Sequence, residues 1–222
     1  KETNTMANAS TVGFGLRTTS TVGNTPATSG QSNYKIKSGL GVGIFKNNPV
    51  SIQDASGDQG YLQDASFATT DDTGSGGAAF DNSGHAPLIG SFNGAFYIDS
   101  STSKPTFANS VAASTTFGTD YNTGSNDGIG FVNDNPQQEY VIKADAAVTQ
   151  AMIGDAGYNT NSFTATDAKD GQSTVTLDIG GGAATTHMFK LVRSADDPNN
   201  NDLGSVGANV IVAIAQASNL YN

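Results

Sequence analysis

The residues that could carry chemistry in this sequence are two histidines, an abundance of aspartate and a few glycine-rich turns. His85 lies in "NSGHAP", and His187 follows "DIGGGAATT" at the head of an apolar run. No HxxxH or HExxH spacing puts two imidazoles on one metal, and no GxSxG elbow presents a serine nucleophile. "DIGGGAATTH" (178–187) is rich in glycine but lacks the lysine of a GxxxxGK[ST] phosphate cradle, so it reads as a tight turn or bulge between strands. The absence of cysteine excludes disulfides and thiolate metal sites.

Oxygen ligands are more plentiful. "DYNTGSNDG" (120–128) offers Asp120, Asn122, Asn126 and Asp127 at short spacing. An EF-hand needs D-x-[DN]-x-[DN]-G and a glutamate at the twelfth position. Here Gly124 and Ser125 hold the fifth and sixth positions, and residue 131 is Phe. The stretch therefore reads as Asx-type turns, as does "SADDPNNND" (194–202), with a calcium loop of another kind left open. In "GFVNDNPQQEYVIKAD" (130–145), Asn133–Pro136 reads as a turn that stops one strand and aims the next. Tyr140 and Ile142 then face the core, with Val141 and Lys143 on the opposite side.

Of the 20 acidic residues, Glu2 and Glu139 are the only glutamates, which leaves 18 aspartates. Aspartate competes for its own backbone and prefers turns and caps to helical surfaces. Most of the acid thus sits on solvated loops, where a carboxyl does not acquire the raised pKa that glycosidase chemistry requires. The expectation is a protein that is not an enzyme and carries no cofactor.

The elements that position these residues are short strands. Hydrophobic residues make up 36% of the chain and charged residues 14%; the balance is mostly Gly, Ser, Thr, Asn and Ala, a composition suited to turns and strands. "YKIKSGLGVGIF" (34–45) alternates at period two, and "STVTLDI" (173–179) directs Val175, Leu177 and Ile179 to a core. "NVIVAIAQ" (209–216) is apolar on both faces, as in a central strand or one covered by a partner. Asn93-Gly94, inside "PLIGSFNGAFYID", reads as a hairpin turn between two short strands. Only "ADAAVTQAMIGDAG" (144–157) has helical character, for a turn or two. The fold class is all-β, a β-sandwich or β-barrel of about nine or ten strands with long Gly/Asn/Asp-rich loops. Residues 1–33 read as an extended N-terminal arm and 34–222 as a single all-β domain, with 54–86 a loop-rich insertion.

A net charge of −10 and only 10 basic residues argue against nucleic acid and against anionic membranes as partners. No apolar run approaches the roughly 18 residues of a membrane span.

Four stretches carry a family resemblance. "FVNDNPQQEYVIKAD" resembles the V-x-D-[DN]-P-x-x-x-[FY]-x-I-x-A-D segment of a family of tailed-bacteriophage head decoration (cement) proteins. "FGLR" (14–17) is similar to their N-terminal FGFRP. "SSTSKPTFANS" (100–110) resembles S-T-G-K-P-x-F-S-N, and "LVRSADDPNNNDLGSVGANVIVAIAQ" (191–216) resembles their final strands and the Pro-Asp-Asn loop between them. The resemblance covers roughly 86–217 and the short N-terminal match. It implies a virion structural protein on the outer surface of an icosahedral head, with the major capsid protein as partner. It also implies a homo-oligomer, a trimer favoured, that bridges neighbouring capsomers and stabilises the shell. The residues expected to touch the capsid or a partner are Phe14, Leu16, Arg17 and Tyr34, together with Leu220 and Tyr221 near the C-terminus. Two alternatives belong to other classes. One is a fibre-tip or secreted carbohydrate-binding adhesin using Tyr61, Tyr97, Tyr121 or Tyr158. The other is the major capsid subunit itself, which the lack of a long helix disfavours.

Overall fold

Strand-forming alternation runs through most of the chain, and the computed structural model turns it into two curled antiparallel sheets and a third of only two strands, Ile44–Phe45 paired with Ser110–Val111. It describes residues 8–23, 25–26, 30–53, 57–65, 88–161, 170–180 and 188–215. Among these are fifteen strands, more than the nine or ten expected, because several are only two residues long. They are β1 (Arg17–Thr21), β2 (Thr25–Pro26), β3 (Ser32–Ile36), β4 (Ile44–Phe45) and β5 (Pro49–Ile52). Next come β6 (Leu62–Asp64), β7 (Leu88–Ile98), β8 (Pro105–Ala108), β9 (Ser110–Val111) and β10 (Gly128–Asn133). The last are β11 (Gln138–Lys143), β12 (Ala156–Thr160), β13 (Leu177–Asp178), β14 (Phe189–Ser194) and β15 (Asn209–Ile214). The stretch with helical character yields one 3-10 turn, Gln150–Met152.

One sheet runs β13-β12-β14-β15-β11-β1-β2. A parallel bridge between Ala144, directly after β11, and Leu177 joins its β13 end back to the end of β11. Five strands thereby close into a ring, with β1 and β2 attached along the free edge of β11. Tyr140, Ile142, Leu177, Leu191, Val210 and Val212 fill its core. The second sheet runs β3-β10-β7-β5-β6, and a parallel bridge from Lys35 to Tyr61 closes it in the same way. Ile36, Leu62, Phe92, Ala95 and Val132 form its core. Inside it Gly130 has no room for a side chain: a Cβ there would lie 2.4 Å from Leu62 Cδ1.

The turn Asn133–Gln137 is the passage from one ring to the other, since β10 belongs to the second and β11 to the first. Asn135 Oδ1 accepts the Gln137 amide at 2.9 Å, an Asx turn. The buried Tyr140 hydroxyl donates to the Asn133 carbonyl at 3.0 Å.

Several expectations are corrected. Of the expected extended N-terminal arm, residues 8–23 are among those described, and they pack against the body of the chain. "RTTST" is a strand hydrogen-bonded to β11, and Leu16 is fully buried in the core of the first ring. The Leu16 amide donates to Asn47 O (2.7 Å) and the Gly15 amide to Val175 O (3.0 Å), so "FGLR" is threaded between the rings of its own chain. Burying one leucine is worth about 2 kcal/mol, which favours this seat over release to a neighbour. Asn93-Gly94 is not a hairpin either: β7 runs through it as one strand of 11 residues, paired with β10 on one side and with β5 and β8 on the other. Both flanks already have partners, and the positive φ of Gly94 serves a bulge that shifts the β10 register. The real hairpin turn follows Ile98, where Asp99 Oδ1 accepts from the amides of Ser101 and Thr102. Within the expected insertion 54–86, Leu62 is core and β6 is a ring strand; 66–86 lies outside the described residues. Val42 is exposed where alternation would bury it.

Candidate functional site

The outer face of the first ring collects the side chains best placed to meet a partner. Strand register sets them in a row: Arg17 lies opposite Val141, Val141 opposite Ile211, and Ile211 opposite Arg193. Directly opposed residues share a face, so the row is an apolar floor with an arginine at each end. Two adjoining clefts of about 290 Å³ and 450 Å³ run along it and share Thr19 and Ala195. Phe14, Asp197 and Asn209 line the first, and Ser20, Ser194 and Asp196 the second.

The two arginines are in different states. Arg193 is spent on Glu139, with Nη1–Oε1 at 2.9 Å and Nη2–Oε2 at 2.6 Å, and the Ser20 hydroxyl donates to Oε2 at 2.7 Å. The Arg193 hydrogen bonds, followed by that of Ser20, hold the Glu139 carboxyl below its ordinary pKa despite its burial. Arg17 is exposed and forms no ion pair among the described residues. Its guanidinium carbon lies 5.2 Å from the Phe14 ring centroid, and Lys143 Nζ lies 5.8 Å from the same centroid. Cation–π contact steadies Arg17 while leaving its N–H donors for an outside acceptor.

A second outward surface lies on the other ring. Ile129 is opposite Phe96, and Phe96 opposite Phe107. The two phenyl rings are 4.8 Å apart, and Phe107 is 75% exposed.

Of the expected contact residues, Phe14 and Arg17 come together at the cleft, while Leu16, between them in sequence, points into the core. Tyr34 is half-buried and donates its hydroxyl to Asp134 Oδ2 at 2.8 Å, which makes it a strut beneath the inter-ring turn. Leu220, Tyr221, His85 and His187 lie outside the described residues. The tyrosines of the adhesin alternative are mostly occupied. Tyr158 is buried, Tyr97 stacks on Phe117 at 4.6 Å, and Tyr61 donates to Asp127 Oδ1 at 3.2 Å; Tyr121 alone of the four is open, at 85%. The phenyl ring at the cleft has two cations for neighbours, which makes it a poor platform for a sugar.

Asp120 closes its own turn, accepting the Asn122 amide (2.9 Å) and the Thr123 hydroxyl (3.0 Å). Asp127, further along, pairs with Lys35 at 2.9 Å. Among the described residues, no group of three or more His, Cys, Asp or Glu is arranged to hold a metal.

Sequence reasoning missed Arg193 and Glu139 as a pair, and Thr19 and Ile211 as cleft lining. The one available signal was that Glu139 is one of only two glutamates in a chain with 18 aspartates. No family model matches the chain, and no curated protein or solved structure matches it.

Proposed function

We propose that this is a virion structural protein that binds the outer surface of a bacteriophage head and stabilises the shell by bridging neighbouring capsomers. One observation supports this reading above the others. Three of the four stretches that carry the resemblance are far apart in sequence, yet they lie on adjoining strands, β1, β11, β15 and β14, of one sheet. Their outward side chains, Arg17, Val141, Ile211 and Arg193, form the floor and ends of the cleft. Motifs that recur for a shared contact are expected to converge on one face in this way. The fourth stretch carries Phe107, the exposed aromatic of the other ring.

The contact follows from charge. A chain of net charge −10 is repelled by an acidic shell unless its few free cations are presented at the contact. Arg17, braced by Phe14, is such a cation, and its planar fork suits a carboxylate. Phe107 and Ile129 add apolar area on the second surface. Each contact is modest, and repetition of a trimer around symmetric positions sums them. Binding that favours the assembled lattice over its dissociated parts adds directly to lattice stability.

The test is sedimentation of the purified protein with mature heads of the phage that encodes it, prepared without it. Co-sedimentation, weakened at least tenfold by Arg17→Glu in a protein that still folds, is the expected result. Failure of the wild-type protein to co-sediment, or full binding by Arg17→Glu together with Phe107→Ser, overturns the reading.

A further inference from the structure

The terminal residue of β11, Lys143, has a role that no surface contact explains. It is 2% exposed, and its amine is surrounded by oxygens from two distant parts of the chain. Nζ lies 2.8 Å from Ser10 O, 3.0 Å from Gly207 O and 3.4 Å from Asn200 Oδ1. A cage of carbonyls alone would be a structural lysine. Asn200 changes that, because its amide is set up for reaction at both ends. Its Oδ1 also accepts the Ser10 amide at 3.1 Å. Its Nδ2 donates to Asp197 Oδ2 at 3.2 Å. Asp197 is itself fixed by the Asn199 amide at 3.0 Å and by Asn209 Nδ2 at 2.7 Å. Asn209 lies directly across from Lys143 on β15, so both strands of the pair hold the group in place.

We propose that Lys143 and Asn200 are a modification site, joined by an intramolecular isopeptide bond whose formation Asp197 assists as proton carrier. The parts have defined tasks. The neutral amine of Lys143 attacks Asn200 Cγ, one bond beyond the oxygen it already touches, and the Nζ–Cγ bond forms. Negative charge develops on Oδ1, where the Ser10 N–H receives it. Asp197 takes the proton lost by Nζ and delivers it to Nδ2. The Cγ–Nδ2 bond breaks and ammonia leaves. An amine and a primary amide become a secondary amide and ammonia, with no oxidant, metal or cofactor needed. Burial lowers the Lys143 pKa from its ordinary value, while the nearby Asp197 charge acts in the opposite direction.

The bond would join residues 57 apart and fix the 194–207 segment, along with the chain at Ser10, to β11. A chain without cysteine gains by this route the covalent brace that a disulfide supplies elsewhere. The inference does not depend on the functional reading above.

The test is the intact mass of the purified full chain under denaturing conditions. The expected mass is that of the sequence less one ammonia. A tryptic digest is expected to show no cleavage after Lys143 and a branched peptide joining its fragment to the one that begins at Ser194. Asn200→Ala and Lys143→Arg are expected to restore the mass calculated from their sequences. Asp197→Ala is expected to do so in most of the molecules. A wild-type mass equal to the calculated one overturns the proposal. So does an ammonia loss that maps elsewhere, to a succinimide at Asn93-Gly94 or to Asn209.

Discussion

Arg193 reaches across a whole strand to hold Glu139. The arginine is on β14 and the glutamate on β11; β15 lies between them, with the small side chain of Ala213 opposite Glu139. Both guanidinium nitrogens meet the carboxylate, at 2.9 and 2.6 Å. The pair spans three strands on the face that also carries Arg17, and thereby sets the geometry of the cleft.

Removing Arg193 leaves a carboxylate with a 4% exposed side chain and, among the described residues, only Ser20 as a close side-chain partner. Losing one partner of a fully buried pair costs 3–5 kcal/mol, and the Arg193 side chain keeps 37% of its surface in water, so Arg193→Ala is expected to cost about 2 kcal/mol. Arg193→Lys recovers part of this, since it restores charge without the fork. Urea unfolding of the variants checks both values.

The same pair predicts an acid limb in stability. The folded-state pKa of Glu139 is depressed, so its contribution is present above the ordinary value of 4.5 and is lost as pH falls through the folded-state value. Asp127, held down by hydrogen bonds from Lys35, Ser125 and Tyr61 despite its burial, acts in the same sense. Melting temperature is therefore expected to fall below about pH 4.5, and Glu139→Gln to flatten that fall while lowering stability at pH 7. Thermal melts of both proteins from pH 3 to 7 measure it.

The alternation of Val175, Leu177 and Ile179 and the apolar run of β15 were legible in the sequence, and these three residues are buried, as are Val210, Ile211, Val212 and Ile214 of β15. So was the turn before "EYVIK", because Asx chemistry is local. What was illegible is non-local. "RTTST" has no apolar face of its own and becomes a strand only because the β11 edge is available to it. Lys143 reads as a solvent-facing residue by alternation, yet Ser10, Asn200 and Gly207 bury it from far along the chain. Asn93-Gly94 carries a genuine signal for positive φ, but the pairing of both its flanks converts the turn into a bulge. At the candidate site, Phe14 and Arg17 could be named from sequence. Their separation from Leu16 could not, since it depends on where Asn47 and Val175 lie.

Two glycines give a graded packing test. A Cβ at Gly90 would lie 2.0 Å from the Asn133 carbonyl oxygen, and backbone at the inter-ring turn cannot yield. At Gly130 the nearest atoms are the side-chain ends of Leu62 and Ile36, which can shift. Gly130→Ala is expected to cost about 1–2 kcal/mol and Gly90→Ala distinctly more, with denaturant midpoints as the measure.

Tyr140→Phe removes the hydroxyl that satisfies the Asn133 carbonyl inside the turn. The expected loss is about 1–2 kcal/mol, the usual consequence of leaving a buried acceptor unpaired. Chemical denaturation of the variant reports it, and an unchanged midpoint would mean that water reaches the turn.

The central claim is that this protein stabilises a phage head by binding its outside, and heat-induced DNA release from purified heads tests it most directly. Heads lacking the protein are heated alone, with saturating wild-type protein, and with Arg17→Glu. The account predicts that the wild type raises the release temperature and that Arg17→Glu raises it much less at equal concentration. Identical release temperatures with and without the wild-type protein would contradict it.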